Sequence, residues 1–319
     1  MNVLVTGAAG FIGSHVAEML LARGDSVTGV DNFDAYYDPA RKRANAALLA
    51  AHPRFTLYEA DVRDAETMAR ICAGSRFDAI VHLAAMAGVR YSIERAPLYV
   101  EVNVRGTVNV LEAARKSGVP HFVFASTSSV YGRSERLPFR EDDSIGKPLA
   151  PYPATKIAGE VMGYAYHNMF DLSFTGVRFF SVYGPRGRPD MMPYHITDCI
   201  ANDREFTLYE AGEMHRDWTY VADIASGVAA AVDRQMGYQI INLGRGEPVR
   251  MADFVELIQE LVGRRARMNT PPAPASEPPI TYADITKARQ LLGYEPAVPV
   301  AEGMRRFWKW YKNEQPPNP

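Results

Sequence analysis

Cysteine is scarce in this chain: Cys72 and Cys199 are the two among 319 residues. They lie too far apart in sequence to suggest a metal-ligand cluster or a disulfide framework. Both read as packed thiols in a reduced, cytoplasmic setting, and no metal site is expected. An excess of one charge is missing too. The formal net charge is -2, from 35 basic and 37 acidic side chains, so neither a nucleic-acid nor an anionic membrane partner is expected. No apolar run reaches the roughly 18 residues of a membrane span. No basic leader precedes the first apolar stretch, so no signal peptide is expected. There are no internal repeats. What is present is an ordinary globular composition, 47% hydrophobic and 23% charged. Such a length builds one large domain or two smaller ones.

Residues 1–31 carry a cofactor signal. Val3-Leu-Val5 reads as a buried strand, followed by Gly7-Ala-Ala-Gly10-Phe11-Ile12-Gly13. Val16, Met19, Leu20 and Ala22 then give a helical apolar face that stops at Gly24. Residues 26–31 read as the next strand. Glycines let the backbone turn tightly and approach a pyrophosphate at a helix N-terminus. Asp31 lies 18 residues after Gly13 (31 − 13) and ends the second strand. A carboxylate there can bind a ribose diol and repels a 2′-phosphate, which points to NAD over NADP. Strand, glycines, helix, strand and Asp together are the context this motif requires.

The alternation continues. Residues 55–59 read as a strand, 65–73 as a helix, 79–83 as a strand, and Pro97 opens a long helix that closes at Gly118. Such alternation predicts a parallel sheet with helices on both faces. Residues 34–51 form an insertion after the second strand, helical over 44–51 and readable as a solvated excursion. His121-Phe-Val-Phe-Ala125 reads as a buried strand ending in the hydroxyls Ser126-Thr127-Ser128-Ser129. Ile157, Val161, Tyr164 and Ala165 then give a helix that begins near Tyr152. Tyr152 and Lys156, four apart, share one face of it. A free tyrosine has a pKa of about 10. A nearby ammonium is expected to favour its phenolate as a base, with Thr127 sharing the proton.

The Gly-x-x-Gly-x-x-Gly spacing together with Tyr-x-x-x-Lys resembles the extended short-chain dehydrogenase/reductase family, nearly end to end. The resemblance implies an α/β fold: a Rossmann-type doubly wound parallel sheet with a smaller, interleaved mixed α/β substrate domain. His82-Leu83-Ala84-Ala85 matches the family's fourth-strand motif, whose backbone runs along the cofactor. Asp61-Val62 matches its adenine-contacting pair, and Asn103 its helix asparagine. The resemblance thus implies NAD held by Gly7, Gly10, Phe11, Ile12, Gly13, Asp31, Asn32, Asp61, Val62, Leu83, Ala84, Ala85, Asn103, Tyr152 and Lys156. Tyr152, Lys156 and Thr127 are the implied catalytic residues. The NAD domain is expected over residues 1–180, with 222–243 returning to it, and the nucleotide-sugar domain over 181–319. The tail after Asn313 is expected to be loose.

Residues 212–223 resemble the Arg-Asp-aromatic-Thr-Tyr-Val-x-Asp block of the family's nucleotide-sugar enzymes, which places Arg216 on a diphosphate. Arg186 and Arg188 sit in a glycine- and proline-rich loop, and an arginine fork suits a diphosphate. Phe206 and Tyr209 are candidates to flank the base. The family's 4,6-dehydratases carry a carboxylate in the hydroxyl motif, as do its UDP-glucuronate decarboxylases; Ser128 and Ser129 fill those positions here. Dehydration is therefore not expected. Ala-Gly-Val-Arg90-Tyr-Ser92, Arg188-Pro-Asp-Met191 and the Asp31–Pro39 run resemble UDP-glucuronate 4-epimerases. Ser181 stands where UDP-galactose 4-epimerases usually have asparagine, leaving room for a carboxylate. The substrate-side set is thus Arg90, Thr127, Ser128, Ser129, Ser181, Arg186, Arg188, Phe206, Tyr209 and Arg216. The implied reaction is NAD-dependent 4-epimerisation of a UDP-sugar through a transient 4-keto sugar, by a homodimer. UDP-glucose/UDP-galactose epimerase, UDP-glucuronate decarboxylase and a non-catalytic NAD-binding regulator remain open alternatives.

Overall fold

The structure, a computed structural model, describes residues 1–314. Its centre is a seven-stranded parallel sheet. The chain enters through β1 (Asn2–Thr6), α1 (Phe11–Ala22), β2 (Ser26–Asp31), α2 (Pro39–Ala50), β3 (Phe55–Glu59), α3 (Ala65–Ala73) and β4 (Ala79–His82). It continues through α4 (Val89–Glu94), α5 (Ala96–Tyr99), a π-helical turn (Val100–Arg105), α6 (Gly106–Lys116), β5 (His121–Thr127), α7 (Pro151–Phe170) and β6 (Ser173–Phe179). After β7 (Ser181–Tyr183), α8 (Met192–Ala201), β8 (Glu205–Thr207), β9 (His215–Tyr220) and α9 (Val221–Val232), β10 (Tyr238–Leu243) comes back beside β6. The sheet order is β10-β6-β5-β4-β1-β2-β3. The order reverses between β1 and β4, and ligands of doubly wound sheets sit at that crevice, outside the strand C-termini.

The sequence accounts for these layers. Every residue of β4, β5 and β6 is buried, as a parallel strand covered on both faces requires. The edge strand β3 alternates between half-buried and exposed. Asp38 caps α2 by accepting from the Ala40 amide, with Pro39 in its first turn. α7 lies close on the sheet because Gly159 and Gly163 have no side chain; a Cβ on either would run into the ring of Phe124 or Phe174. The apolar spacing on α7 covers two surfaces. Ile157 packs on the core, whereas Val161 and Tyr164 are 60% and 54% exposed.

The second half adds β11 (Pro248–Arg250), α10 (Met251–Val262), β12 (Arg267–Asn269), α11 (Thr286–Leu292) and α12 (Val300–Glu314). β11, β9 and β7 form a three-stranded sheet, and β12 pairs with β8. They enclose their own core, in which Trp218 stacks on Phe254 with ring centroids 4.9 Å apart. Among the described residues no helix is long and apolar enough to cross a membrane. α12 carries the chain past Asn313 to Glu314; the remainder of the expected loose tail lies outside the described residues.

Candidate active site

The crevice at the sheet's reversal opens into a cleft of about 350 Å³. Gly7, Gly10, Phe11, Ile12 and Gly13 form one wall. Gly7 has φ +71°, and a Cβ there would sit 2.7 Å from the Ala84 nitrogen. A Cβ on Gly13 would overlap the Gly7 carbonyl. Gly10 caps α1 without a side-chain hydrogen bond, which leaves the first amides of that helix for a ligand. At the end of β2 the buried Asp31 carboxylate accepts from the Ala9 amide at 3.0 Å and the Phe33 amide at 2.9 Å. Burial raises its pKa, against the pull of those amides and of Lys42. Each oxygen keeps a lone pair for a further donor.

Asn32 donates to Asp61 at 2.9 Å, and both line the cleft with Val62. Burial works to raise the Asp61 pKa, but the Arg63 side chain and amide and Asn32 outweigh it and hold it at about 2. Leu83, Ala84 and Ala85, beside Gly7 at the end of β4, line the cleft as well. Asn103 is 1% exposed and lies off the cleft lining, because its amide is consumed by the scaffold. It accepts from the Met86 amide at 2.8 Å, donates to the Met86 carbonyl at 2.9 Å and to Thr155 Oγ1 at 3.0 Å. It sits inside the π-helical turn, a form frequent at functional sites. It therefore holds the wall from behind.

Thr127 ends β5, and Tyr152 is the second residue of α7. Thr127 Oγ1 donates to Ser129 Oγ and accepts from its amide, both at 3.2 Å. The Tyr152 amide donates to Ser92 Oγ at 3.1 Å, and its ring packs edge-on against Tyr99. Lys156 Nζ donates to the Ala125 carbonyl at 2.8 Å and lies over the Phe124 ring. Burial lowers the Lys156 pKa to about 7, against the raising effect of Glu160. For Tyr152 the direction is the reverse of the expectation. Burial raises its pKa, opposed by the Arg188 charge and the Thr127 hydrogen bond, so the free chain holds it as a phenol.

Ser128, Ser129, Ser181 and Arg188 line the same end of the cleft. Arg188 forks onto Asp190 at 3.0 and 2.7 Å, and Tyr36 donates to that carboxylate at 2.9 Å. Arg90 and Arg216 lie off this lining and share Glu277, at 2.9 and 3.1 Å, with Arg90 also over the Tyr209 ring. Arg186 turns away and pairs with Glu18. Phe206 is 3% exposed in the second core and lies off this lining, because β8 is pinned between β12 and that core. Sequence reasoning missed Tyr36, Tyr37 and Lys42, which bring the insertion onto the cleft wall. Their Tyr-Tyr-Asp-Pro context was the available signal. Glu277 was missed as well; its proline-rich surroundings hid it.

The glycine wall and the paired Tyr and Lys have counterparts. The NAD dependent epimerase/dehydratase family profile matches residues 3–244. The chain belongs to that family. Among curated relatives within and around it, UDP-glucuronate 4-epimerase of Thermodesulfobacterium geofontis is 39% identical over 310 residues, covering 97% of this chain and 95% of that one. UDP-glucuronate 4-epimerase 1 of Arabidopsis thaliana is 40% identical over 329 residues, 98% of this chain and 76% of that one. The crystal structure of UDP-glucuronic acid 4-epimerase from Bacillus cereus, in complex with UDP-glucuronic acid and NAD, superposes with a TM-score of 0.92 at 34% identity. It covers 98% of this chain and 99% of that one. For this epimerase/dehydratase-family chain, the turn where Gly7 and Gly13 leave no room for a Cβ, the uncapped α1 and the buried Asp31 fit a dinucleotide.

Proposed function

We propose that this chain is an NAD-dependent 4-epimerase that interconverts UDP-glucuronate and UDP-galacturonate. The observation that carries the reading is one cleft lined by the glycine turn and Asp31 as well as by Thr127, Tyr152 and Lys156. Gly7, Gly10, Phe11, Ile12 and Gly13 take the pyrophosphate, Asp31 and Asn32 a ribose, and Asp61 and Val62 the adenine. Leu83, Ala84 and Ala85 flank the cofactor, while Asn103 acts through Met86. When bound, NAD supplies a reversible hydride acceptor for carbon 4 of the sugar. The chain supplies the proton chemistry. Tyr152 Oη acts as a phenolate, the form that the Arg188 charge and the Thr127 hydrogen bond favour against burial, takes the proton of the 4-hydroxyl, and returns it after the sugar has turned on its diphosphate tether. Thr127 steadies that phenolate, and Lys156, one turn along α7, is held by the Ala125 carbonyl.

Arg90 and Arg216 receive the diphosphate, whose oxygens replace the Glu277 carboxylate on the two guanidinium groups. Tyr209 flanks the base. Thr127, Ser128, Ser129 and Ser181 offer small donors to the sugar carboxylate. Ser128 and Ser129 stand where an acid would be needed to expel a hydroxyl, which favours epimerisation over dehydration. We divide the chain into an NAD domain over residues 1–180 with 222–243, and a nucleotide-sugar domain over the rest. The working form is a cytoplasmic homodimer.

The reading is tested by incubating the protein separately with UDP-glucuronate and UDP-glucose and resolving products by NMR. UDP-galacturonate from the first, with little change in the second, is expected. UDP-galactose as the faster product moves the assignment to the neutral-sugar epimerases. A UDP-pentose with loss of carbon dioxide moves it to the decarboxylases. No conversion of either sugar by NAD-loaded protein overturns it.

A further inference from the structure

One helical turn beyond Lys156, α7 carries a buried ion pair whose carboxylate favours the Lys156 ammonium but takes no proton in the reaction. Glu160 and Arg178 are each 2% exposed. The guanidinium forks onto the carboxylate, Nε to Oε1 at 2.9 Å and Nη2 to Oε2 at 2.8 Å. Ser126 Oγ donates to the same Oε1 at 2.5 Å. Ser126 and Arg178 are register partners on the adjacent strands β5 and β6. One carboxylate from α7 therefore clamps two strands at a single rung of the sheet.

The clamp continues outward. Arg178 lies over the Tyr131 ring at 4.8 Å, and Tyr131 donates to Asn242 Oδ1 at 2.6 Å. Asn242 is the register partner of Arg178 on β10. Tyr131 belongs to the 3-10 turn Ser128–Tyr131 that carries the serines of the cleft. On the other side, Lys156 donates to the carbonyl of Ala125, the residue just before Ser126.

Stability alone is a poor reason for this arrangement. Desolvating two charges largely cancels their attraction, and a well-packed apolar pair often does as well or better. Direction is the better reason. Beside single hydrogen bonds from Lys156 to the Ala125 carbonyl and from Tyr238 to the Glu160 carbonyl at 3.1 Å, α7 meets the sheet through Gly159 and Gly163 against aromatic rings, which set a distance but let the helix slide. A bidentate fork fixes angle and register as well.

We propose that Ser126, Glu160 and Arg178 are positioning residues that lock α7 onto the ends of β5 and β6, so that Tyr152 and Lys156 meet Thr127. This rests on the reading of those three as the proton-transfer group. The test compares NAD-loaded wild type with Ser126→Ala, Glu160→Gln and the apolar double variant Glu160→Leu/Arg178→Met. It records kcat, KM, melting temperature and the isotope effect of 4-deuterated substrate. A misplacement of about 1 Å costs on the order of 100-fold in rate. Glu160→Gln is accordingly expected to lose tenfold or more in kcat (~10-fold at least) with little change in KM and a larger isotope effect. Ser126→Ala shows a smaller loss of the same kind. The double variant folds yet stays slow.

Wild-type kcat in Ser126→Ala and in a folded double variant overturns the proposal. So does a loss that tracks melting temperature with an unchanged isotope effect. Should Glu160→Gln fail to fold, the other two variants decide. Tyr152→Phe, run beside them, separates the two levels. If it still turns over, the underlying reading fails; if it is inactive while the three variants match wild type, only the positioning role fails.

Discussion

Burial acts on Tyr152 and Lys156 in opposite directions, upward for the phenol and down to about 7 for the ammonium. In the free chain the group that changes charge near neutral pH is therefore Lys156. Tyr152→Phe keeps the ring against Tyr99 and removes the hydroxyl, so the variant should keep NAD and lose turnover. Positioned acid–base groups are worth about 10²–10⁴-fold, and a rate within tenfold of wild type (about the floor of that range) refutes the role. The serines carry a different burden. Oxidation of glucuronate at carbon 4 makes a β-keto acid, which loses carbon dioxide when the breaking bond aligns with the carbonyl π system. Donors that hold the carboxylate out of that alignment protect the intermediate, and hydrogen bonds to an ionised acceptor hold more firmly than neutral ones. Ser128→Ala or Ser181→Ala should slow epimerisation of UDP-glucuronate and raise the fraction released as a 4-keto-pentose. UDP-glucose, without the carboxylate, should be much less affected. Equal slowing of both sugars with no pentose by NMR would leave these serines a structural role.

The insertion between β2 and β3 does more than its sequence suggested. Tyr36 donates to Asp190 across the mouth of the cleft, Arg188 lies over the Tyr36 ring, and Arg41 donates to Tyr194 at 2.7 Å. A Cβ on Gly88 would sit 2.7 Å from Tyr36 Oη, so this seam also needs that glycine. The two walls are thereby tied together beside Tyr152, and the tie should slow cofactor escape between half-reactions. Tyr36→Phe and Asp190→Asn are expected to lose NAD on gel filtration and to be stimulated by added NAD, where wild type is not. Equal NAD content in variants and wild type refutes the tie. The same elements mark how far the sequence was legible. Glycine spacing, apolar runs and strand-helix alternation are local signals, and they located β1 to β6 and the residues along the cleft. Three-residue strands such as β7, β8 and β11 give no periodicity, so Phe206 read as a ligand contact while it packs in a core. The π-helical turn left no local mark, and neither did the sharing of Glu277 by Arg90 and Arg216 across 187 and 61 residues. Such pairings belong to tertiary structure.

At the scale of the whole molecule two properties follow from what is buried and what is not. His82 and His15 are held neutral in the fold, with pKa values pushed down by burial to about 3 and about 4. Their unfolded value is about 6.5. Between those limits the unfolded chain binds more protons at these two sites, so their contribution to stability is fully present above about pH 6.5 and falls as pH drops. Denaturant melts at pH 7 and pH 5 should show the loss; superposable melts would mean that these rings are protonated or hydrated in the fold. The second property is a group of apolar side chains left exposed on and beside α7. On α7, Val161, Tyr164, Met169 and Phe170 are 60%, 54%, 68% and 43% exposed, and Val100, in the helical run that packs beside α7, is 48% exposed. Large apolar side chains left exposed near one another mark an interface. We propose that two copies pair α7 and the α5–α6 run across a two-fold axis and bury these side chains isologously, as most homodimers do. Light scattering at micromolar concentration should therefore give the mass of two chains. Val161→Glu/Tyr164→Glu puts like charges against each other across the axis and should yield monomers with a lower, concentration-independent melting temperature. A wild-type monomer at that concentration, or a double variant that still dimerises, removes α7 as the contact.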